Sequence, residues 1–402
     1  MKRRKINHCI VHLKSKLKNL DDLLPFFVEM KAQNVLKSAV FVTPTPADFR
    51  LIKENVVLYE AMKAFDAKLV YLNKYKSRLL NMLRHLILLR QYFFRPTVSI
   101  QIAESHGRAI DKFVEFNRRV LGGKLFLSNL TNIPKIAQRK FVSYDNLTLD
   151  PRERTPEIAR RMIEKAKNSD AVLVSFPMDP GDKFGLLEFS ENLTVCEVGN
   201  PRILPTWQEY LHQVGAKNLP ADLQGPYFFF ILGPLEIPNP DNDNVWDEAN
   251  FVKCISILKQ YNKKIHTVFK PHPATNIARL KSLLESIGYD NYRMMNVHQF
   301  VISKSAKFAF SPYSSTVLID AHAVGCPTID FARYDTRGAH ISEGKSMLDE
   351  AVDFYLEGDE EKLVSTVDSL LGRSSPKKKD APEINRFLEP KHFGKICKIL
   401  NV

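Results

Sequence analysis

Short unbroken apolar runs alternate along this chain with longer stretches in which apolar residues recur every three or four positions. A short run bounded by turn residues reads as a strand, and the longer spacing as one face of a helix. The runs predict strands over residues 7–12, 39–43, 68–72, 97–102, 124–127, 171–175 and 193–197, with helices between them, for example over 21–32 and 107–121. A second series follows at 227–232, 267–270, 292–296, 307–310 and 328–331, again alternating with helical spacing. Strand and helix in alternation predict an α/β chain with two parallel, doubly wound, Rossmann-like sheets. Nothing repeats at a fixed period, which argues against a solenoid. The two series meet at Glu197-Val198-Gly199-Asn200-Pro201-Arg202-Ile203-Leu204-Pro205, a turn-rich connection. The predicted division is residues 1–204, then 205–373, with 374–402 as a linker and terminal helix. That linker opens on Ser374-Ser375-Pro376-Lys377-Lys378-Lys379, which is polar and solvated. Two such sheets joined by a hinge are expected to leave a cleft between them.

Composition narrows the class. A chain of 402 residues is long enough for two domains of ordinary size. No uninterrupted apolar stretch reaches the roughly 18 residues of a membrane span. The start, Met1-Lys2-Arg3-Arg4-Lys5, is basic, but Ile6-Asn7-His8-Cys9-Ile10-Val11 is too short and polar for a signal-peptide core. Five cysteines, none in a Cys-x-x-Cys or Cys/His cluster, point to reduced thiols and a cytoplasmic protein. Lys plus Arg exceed Asp plus Glu by 58 to 45, and the resulting +13 attracts anionic partners. Those basic residues follow no nucleic-acid-binding motif, so nucleic acid is not the expected partner.

One predicted helix, over 75–95, carries Leu79, Leu80, Met82, Leu83, Leu86, Ile87, Leu88 and Leu89 with Lys76, Arg78, Arg84, Arg90 and Arg95 among them. It reads as a crossover helix buried on one face and as a basic amphipathic surface that meets anionic lipid or a lipid-linked acceptor, two readings that do not exclude each other.

Candidate chemistry concentrates at two strand ends of the second series. Phe269-Lys270-Pro271-His272-Pro273 follows the run His266-Thr267-Val268, and its two prolines stop both helix and ladder around His272. The imidazole is thereby presented where open α/β sheets bind ligands. Asn276 is placed to cap the next helix. Ser311-Pro312-Tyr313-Ser314-Ser315-Thr316 follows the strand 307–310 and precedes a helix with Val317, Leu318, Ala321 and Val324 on its apolar face. Gly325 stands where a helix-ending glycine belongs. Free N–H groups at that helix start, flanked by hydroxyls, would suit an anion; Ser314 acting as a plain helix cap is the other reading.

These residues resemble the bacterial GT-B glycosyltransferases of surface-polysaccharide assembly. That group includes capsule Kdo (3-deoxy-manno-octulosonic acid) transferases, sialyltransferases and polysialyltransferases, and more distantly the teichoic-acid glycerophosphotransferases. The match rests on Lys270-Pro271-His272-Pro273, on Ser311 to Thr316 with Gly325-Cys326-Pro327, and on Gly199-Asn200-Pro201-Arg202. It covers the C-terminal half and the boundary, and the N-terminal half only in general pattern. The resemblance implies a GT-B fold, with acceptor bound by residues 1–204 and nucleotide sugar by 205–373 across a central cleft. It implies transfer of an acidic sugar, Kdo or sialic-acid-like, from a CMP-activated donor to a surface-glycan or lipid-linked glycan acceptor. His272, Ser314, Ser315 and Thr316 would hold the cytidine nucleotide's phosphate, beside Lys270 and Ser311. Stabilising that leaving phosphate is the main electrostatic task when the C–O bond breaks. The same motifs leave open glycerol-phosphate transfer from CDP-glycerol and non-hydrolysing sugar-nucleotide epimerisation.

Acceptor activation needs a base, and a retaining route a carboxylate nucleophile. Capsule Kdo transferases carry Pro-Leu-Gln and a following Asp; here Pro234-Leu235-Glu236 departs at its third residue and precedes Asp241 and Asp243. Glu104, Glu236 and Asp243 are the candidate catalytic acids beside His272, with His106 near Glu104 and with Asp145 and Glu188 on predicted loops. Asp241 and Asp243 spell Asp-x-Asp, but a loop of Pro and Asn reads as a turn. No metal or other cofactor is expected. The predicted location is cytoplasmic, with peripheral contact at the anionic inner face of the cell membrane.

Overall fold

The computed structural model describes residues 8–13, 17–43, 45–71, 74–75, 77, 80–81, 83–84, 97–102, 139–145, 171–174, 195–197, 201–218, 223, 225–233, 235, 248–272, 275–313, 315–333, 344–346, 348 and 351–372. The predicted strand 124–127 and helix 107–121, most of the predicted helix 75–95, the hinge residues Gly199 and Asn200, and the tail 374–402 lie outside them. So do Glu104, His106, Glu188, Glu236, Asp241, Asp243 and Ser314. The chain divides into two compact units. One is Met1–Thr148, Glu153–Tyr210 and Arg386–Val402; the other is Leu149–Arg152 and Leu211–Asn385. The division falls inside the helix Pro205–Asn218.

The first unit holds a sheet of β1 (His8–His12), β2 (Ser38–Thr43), β3 (Ala67–Tyr71), β4 (Thr97–Ile102), β5 (Arg139–Asp145), β6 (Ala171–Val174) and β7 (Val195–Glu197). Their order is β3-β2-β1-β4-β5-β6-β7, every pair parallel. Sequence patterning finds these strands except β5. There Arg139, Lys140 and Ser143 break the apolar run, so Asp145 stands at a strand end paired with Val174 rather than on a loop. Between β2 and β3, Thr45 and Asp48 form a reciprocal capping box that starts the helix Pro46–Glu54.

The second unit holds β8 (Tyr227–Ile231), β9 (His266–Lys270), β10 (Tyr292–Met294), β11 (Ala309–Ser311), β12 (Thr328–Asp330) and β13 (Phe354–Tyr355). They are ordered β10-β9-β8-β11-β12-β13 and all parallel. The predicted start of β11 at Lys307 moves to Ala309, and β13 escapes the pattern because only two residues of it pair. A central parallel strand is covered on both faces, which is why β8 reads Tyr-Phe-Phe-Phe-Ile and buries every residue. Phe230 meets Phe251 at 5.8 Å, Phe269 at 5.1 Å and Phe310 at 5.0 Å between ring centroids, with edge-on and tilted geometry. On the same face Phe228 stacks on Phe308 at 4.8 Å.

Helix ends follow their predicted residues. Asn276 accepts from the Arg279 N–H at 3.1 Å and starts the helix Ile277–Ile287. The helix Val317–Ala323 ends at Gly325, whose φ of 75° is left-handed. Gly325 N–H donates to the His322 carbonyl and Cys326 N–H to that of Ala321, at 2.8 and 3.1 Å. That is a Schellman ending, and it needs a residue without a Cβ penalty at 325. Among the described residues no helix is long and apolar enough to cross a membrane.

The aromatic packing makes a prediction. Phe230→Ala should cost about 3–5 kcal/mol, read as faster native-state hydrogen exchange of the β8 and β9 amides. Exchange unchanged from the parent would show that the β8 core does not hold the second unit together.

Candidate functional site

The strands β9, β8 and β11 lie side by side in that order, and their carboxyl ends coincide. Lys270 pairs with Ile231, and Phe310 with Phe230, which sets Ser311 level with Ile231. Each of Ile231, Lys270 and Ser311 is the last residue of its strand. Two strand spacings, about 10 Å, separate β9 from β11. The His-Pro turn and the serine-rich turn therefore leave the same sheet edge, on either side of Leu232-Gly233. From β8 the chain winds outward through β9 and β10, then returns to β11 on the opposite side. Ligands of open α/β sheets bind outside the carboxyl ends at such a reversal.

The three strand ends are cross-braced. Tyr313 Oη donates to the Ile231 carbonyl at 3.2 Å and ties the serine turn to β8. Burial pushes the Tyr313 phenol well above its ordinary pKa, so it stays a neutral donor. Asn250, in the first turn of the helix Glu248–Leu258, donates Nδ2–H to the Pro312 carbonyl at 3.1 Å. Thr275 Oγ1 donates to the Gly233 carbonyl at 2.8 Å, while its N–H donates to the His272 carbonyl at 2.8 Å. The turn after β8 also holds Leu235 at φ 51°, a left-handed conformation costing a branched residue about 1 kcal/mol or more.

Against this frame the predicted residues take definite places. His272 is exposed and Lys270 half-buried. Ser311 is wholly buried and donates its hydroxyl to the Tyr313 carbonyl, so it shapes the turn from inside. Ser315 Oγ accepts from Val317 N–H at 3.3 Å, its carbonyl accepts from Leu318 N–H at 2.9 Å, and the Thr316 carbonyl accepts from Ile319 N–H at 3.2 Å. This corrects one expectation. The first N–H groups of the helix are not free, because the turn closes on itself with short-range bonds. The hydroxyls take little part in this closure beyond one bond: Ser315 uses its oxygen as acceptor, and the Thr316 side chain makes no capping bond.

Four residues of this region escaped sequence reasoning. Thr275, Asn250 and Tyr313 bind backbone carbonyls, a role that leaves no spacing signature. Asp320 is 0% exposed and accepts from Gln299 Nε2 at 2.9 Å. Its signal was present: it lies three residues after Val317 and four before Val324, an acid on an apolar helix face. A cavity of ≈ 430 Å³ lies elsewhere in this unit, lined by Leu223, Gly225, His266, Tyr292 and Arg293. Because His266 and Tyr292 begin their strands, it opens at the amino edge and is not the site of these turns.

No protein-family model matches the sequence, and a search of curated proteins finds no match to it. Solved structures do match over nearly the whole chain. UDP-GlcNAc 2-epimerase from Methanocaldococcus jannaschii is 14% identical with a TM-score of 0.55, covering 98% of this chain and 99% of its own. HepE from Anabaena, solved in complex with UDP and glucose, is 10% identical with a TM-score of 0.54, over 98% and 99%. A UDP-glucose:anthocyanidin 3-O-glucosyltransferase in complex with UDP is 11% identical with a TM-score of 0.54, over 100% and 99%. The fold is GT-B. Of the two GT-B units, the second carries both predicted nucleotide motifs at one edge of its sheet.

The bracing is testable by one nearly isosteric change. Thr275→Val leaves the buried Gly233 carbonyl without its donor and should cost about 1–3 kcal/mol in chemical denaturation. A loss below a few tenths would mean that the hydroxyl does not hold the two turns together.

Proposed function

We propose that this GT-B chain is a glycosyltransferase that moves an acidic sugar, Kdo or sialic-acid-like, from a CMP-activated donor to a surface-glycan or lipid-linked glycan acceptor. The observation that carries the proposal is the coincidence of Lys270, Ile231 and Ser311 at one sheet edge. It sets a lysine and an imidazole on one side of the crevice and hydroxyls on the other, about 10 Å apart. In this proposal Lys270 supplies a positive point charge to the donor phosphate, and His272 donates to its bridging oxygen. Ser314, Ser315 and Thr316 donate hydroxyl protons to the remaining oxygens, while Ser311 keeps the turn in shape. Glu104, Glu236 and Asp243 are the proposed catalytic acids, and protein donors rather than a metal stabilise the departing phosphate. The acceptor places the enzyme at the inner face of the cell membrane.

The cytidine assignment rests on the paired motifs. A second reading, sugar-nucleotide epimerisation on UDP, is favoured by the epimerase among the similar structures and by the UDP bound in two others. Transfer of glycerol phosphate from CDP-glycerol shares the cytidine motif and differs in the group moved.

Titration of the protein with CMP, CDP and UDP separates these readings. CMP should raise the melting temperature and UDP should do less, since at equal concentration the ligand that binds the native state more tightly stabilises it more. Stabilisation by UDP equal to or above that by CMP would overturn the cytidine donor and leave the epimerase reading. His272→Ala should lower turnover of the CMP-sugar by about 10²–10³, the typical loss of one positioned donor. His272 is exposed, so the variant should melt with the parent. Near-normal turnover would remove His272 from the chemistry.

A further inference from the structure

The cavity at the amino edge of the second sheet has no part in the turns described above. Its ≈ 430 Å³ lie within the range of small-molecule sites. Leu223, Gly225, His266, Tyr292 and Arg293 form its wall. They combine apolar surface with an imidazole, a phenol and a guanidinium, and no carboxylate is among them. Gly225 leaves its side open, since a Cβ there would meet no atom within 4 Å.

The polar part of this wall is held in place from behind. The Asn291 side-chain amide donates to the carbonyls of Asn262 and Ile265, at 2.6 and 3.3 Å. With its N–H groups committed, Asn291 Oδ1 acts as acceptor, and it lies 2.6 Å from His266 Nδ1. A proton therefore sits on Nδ1, and the imidazole is oriented by a group that is itself tied to the main chain. Nε2 is the nitrogen left for a ligand: it bonds to no described residue and is not shut away from solvent. The Tyr292 ring packs edge-on against Phe269, with centroids 5.8 Å apart, and its hydroxyl likewise bonds to no described residue. Arg293 follows on β10, the edge strand, and its guanidinium carries five N–H donors in a planar fork that matches an oxyanion. The turn leading into β9 adds two exposed cations, Lys263 and Lys264. Asp290, the nearest acid in sequence to Asn291, is engaged by Asn262 Nδ2 at 2.7 Å.

We propose that this cavity is a second small-molecule site, which takes a hydroxylated ligand carrying a phosphate or carboxylate group. Arg293 holds the oxyanion, and the Tyr292 hydroxyl donates to it. His266 Nε2 accepts from a hydroxyl of the same ligand, while Leu223 and the Tyr292 ring cover its carbon skeleton. The strand β9 begins at His266 and ends at Lys270, so about 13 Å of extended chain separates this site from the edge that bears the His-Pro turn. Both ends of the sheet can be occupied together. The proposal uses nothing from the donor reading and stands or falls without it.

The test follows the His266 ring by NMR in the full chain, its signal identified by its loss in His266→Gln. Inorganic phosphate or lactate is added at fixed pH, with sodium chloride of equal ionic strength as the control. A saturable shift is expected with one or both anions and not with chloride. Response to phosphate alone assigns a phosphate ester, and response to lactate alone a hydroxy acid. Tyr292→Phe keeps the ring on Phe269, should melt with the parent, and should weaken binding about three- to tenfold, the loss of one neutral hydrogen bond. Arg293→Gln should weaken it about ten- to a hundredfold, the loss of a charge-assisted one. His272→Ala, at the opposite edge, should leave the titration unchanged. No saturable shift with either anion, an equal shift with chloride, or a Tyr292→Phe affinity within twofold of the parent would overturn the proposal. So would a shift abolished by His272→Ala, which would place the anion at the carboxyl edge instead.

Discussion

Parallel strands cannot be joined by a tight turn. Each must be followed by a crossover of about a dozen residues or more before its neighbour begins. All carboxyl ends of such a sheet therefore fall on one edge, and whatever follows them in sequence is gathered there. In the second unit this brings together two turns that stand some forty residues apart in the chain, those of His272 and of Ser311. Pairing of β9 and β11 with the same strand, β8, then fixes their separation and level. The site is a product of hydrogen-bond register before it is a product of side chains.

Register alone would leave the turns free to sag, and the core beneath prevents this. Phe230, Phe269 and Phe310 come from β8, β9 and β11 respectively and meet one residue below the strand ends. Aromatic contacts of this kind contribute about 0.5–1.5 kcal/mol beyond area burial, and here they join the strands whose ends make the edge. Above them, bonds from Tyr313, Asn250 and Thr275 hold the turns where the ladder stops.

Much of this was legible in the residues, and the rest was hidden for identifiable reasons. Runs such as Tyr227 to Ile231 announce a strand because both faces are buried, and prolines at 271 and 273 with Gly325 announce its neighbours' limits through backbone sterics. β5 was invisible because its charged opening disrupts the pattern on which strand detection relies, and β13 because two residues make no pattern. Free N–H groups were expected at residue 317, yet whether a helix start closes on itself depends on local torsions that composition does not encode. Asp320 was missed because an apolar-face rule looks for apolar residues and passes over the exception. The two readings of residues 75–95 could not be separated by spacing, since core and surface helices share it; among the described residues there, Leu80 and Leu83 are exposed.

The braces around the sheet edge have an implication for how such a site changes over generations. All three end on main-chain carbonyls, those of Ile231, Gly233 and Pro312. A carbonyl is present whatever side chain its residue bears, so the identities of the accepting residues are not what the braces require. Substitutions at the rim can therefore alter what the crevice recognises while its supports persist. Mutational tolerance at the rim and rigidity of its frame are separate properties here, which allows one scaffold to be retuned to new ligands without first being loosened.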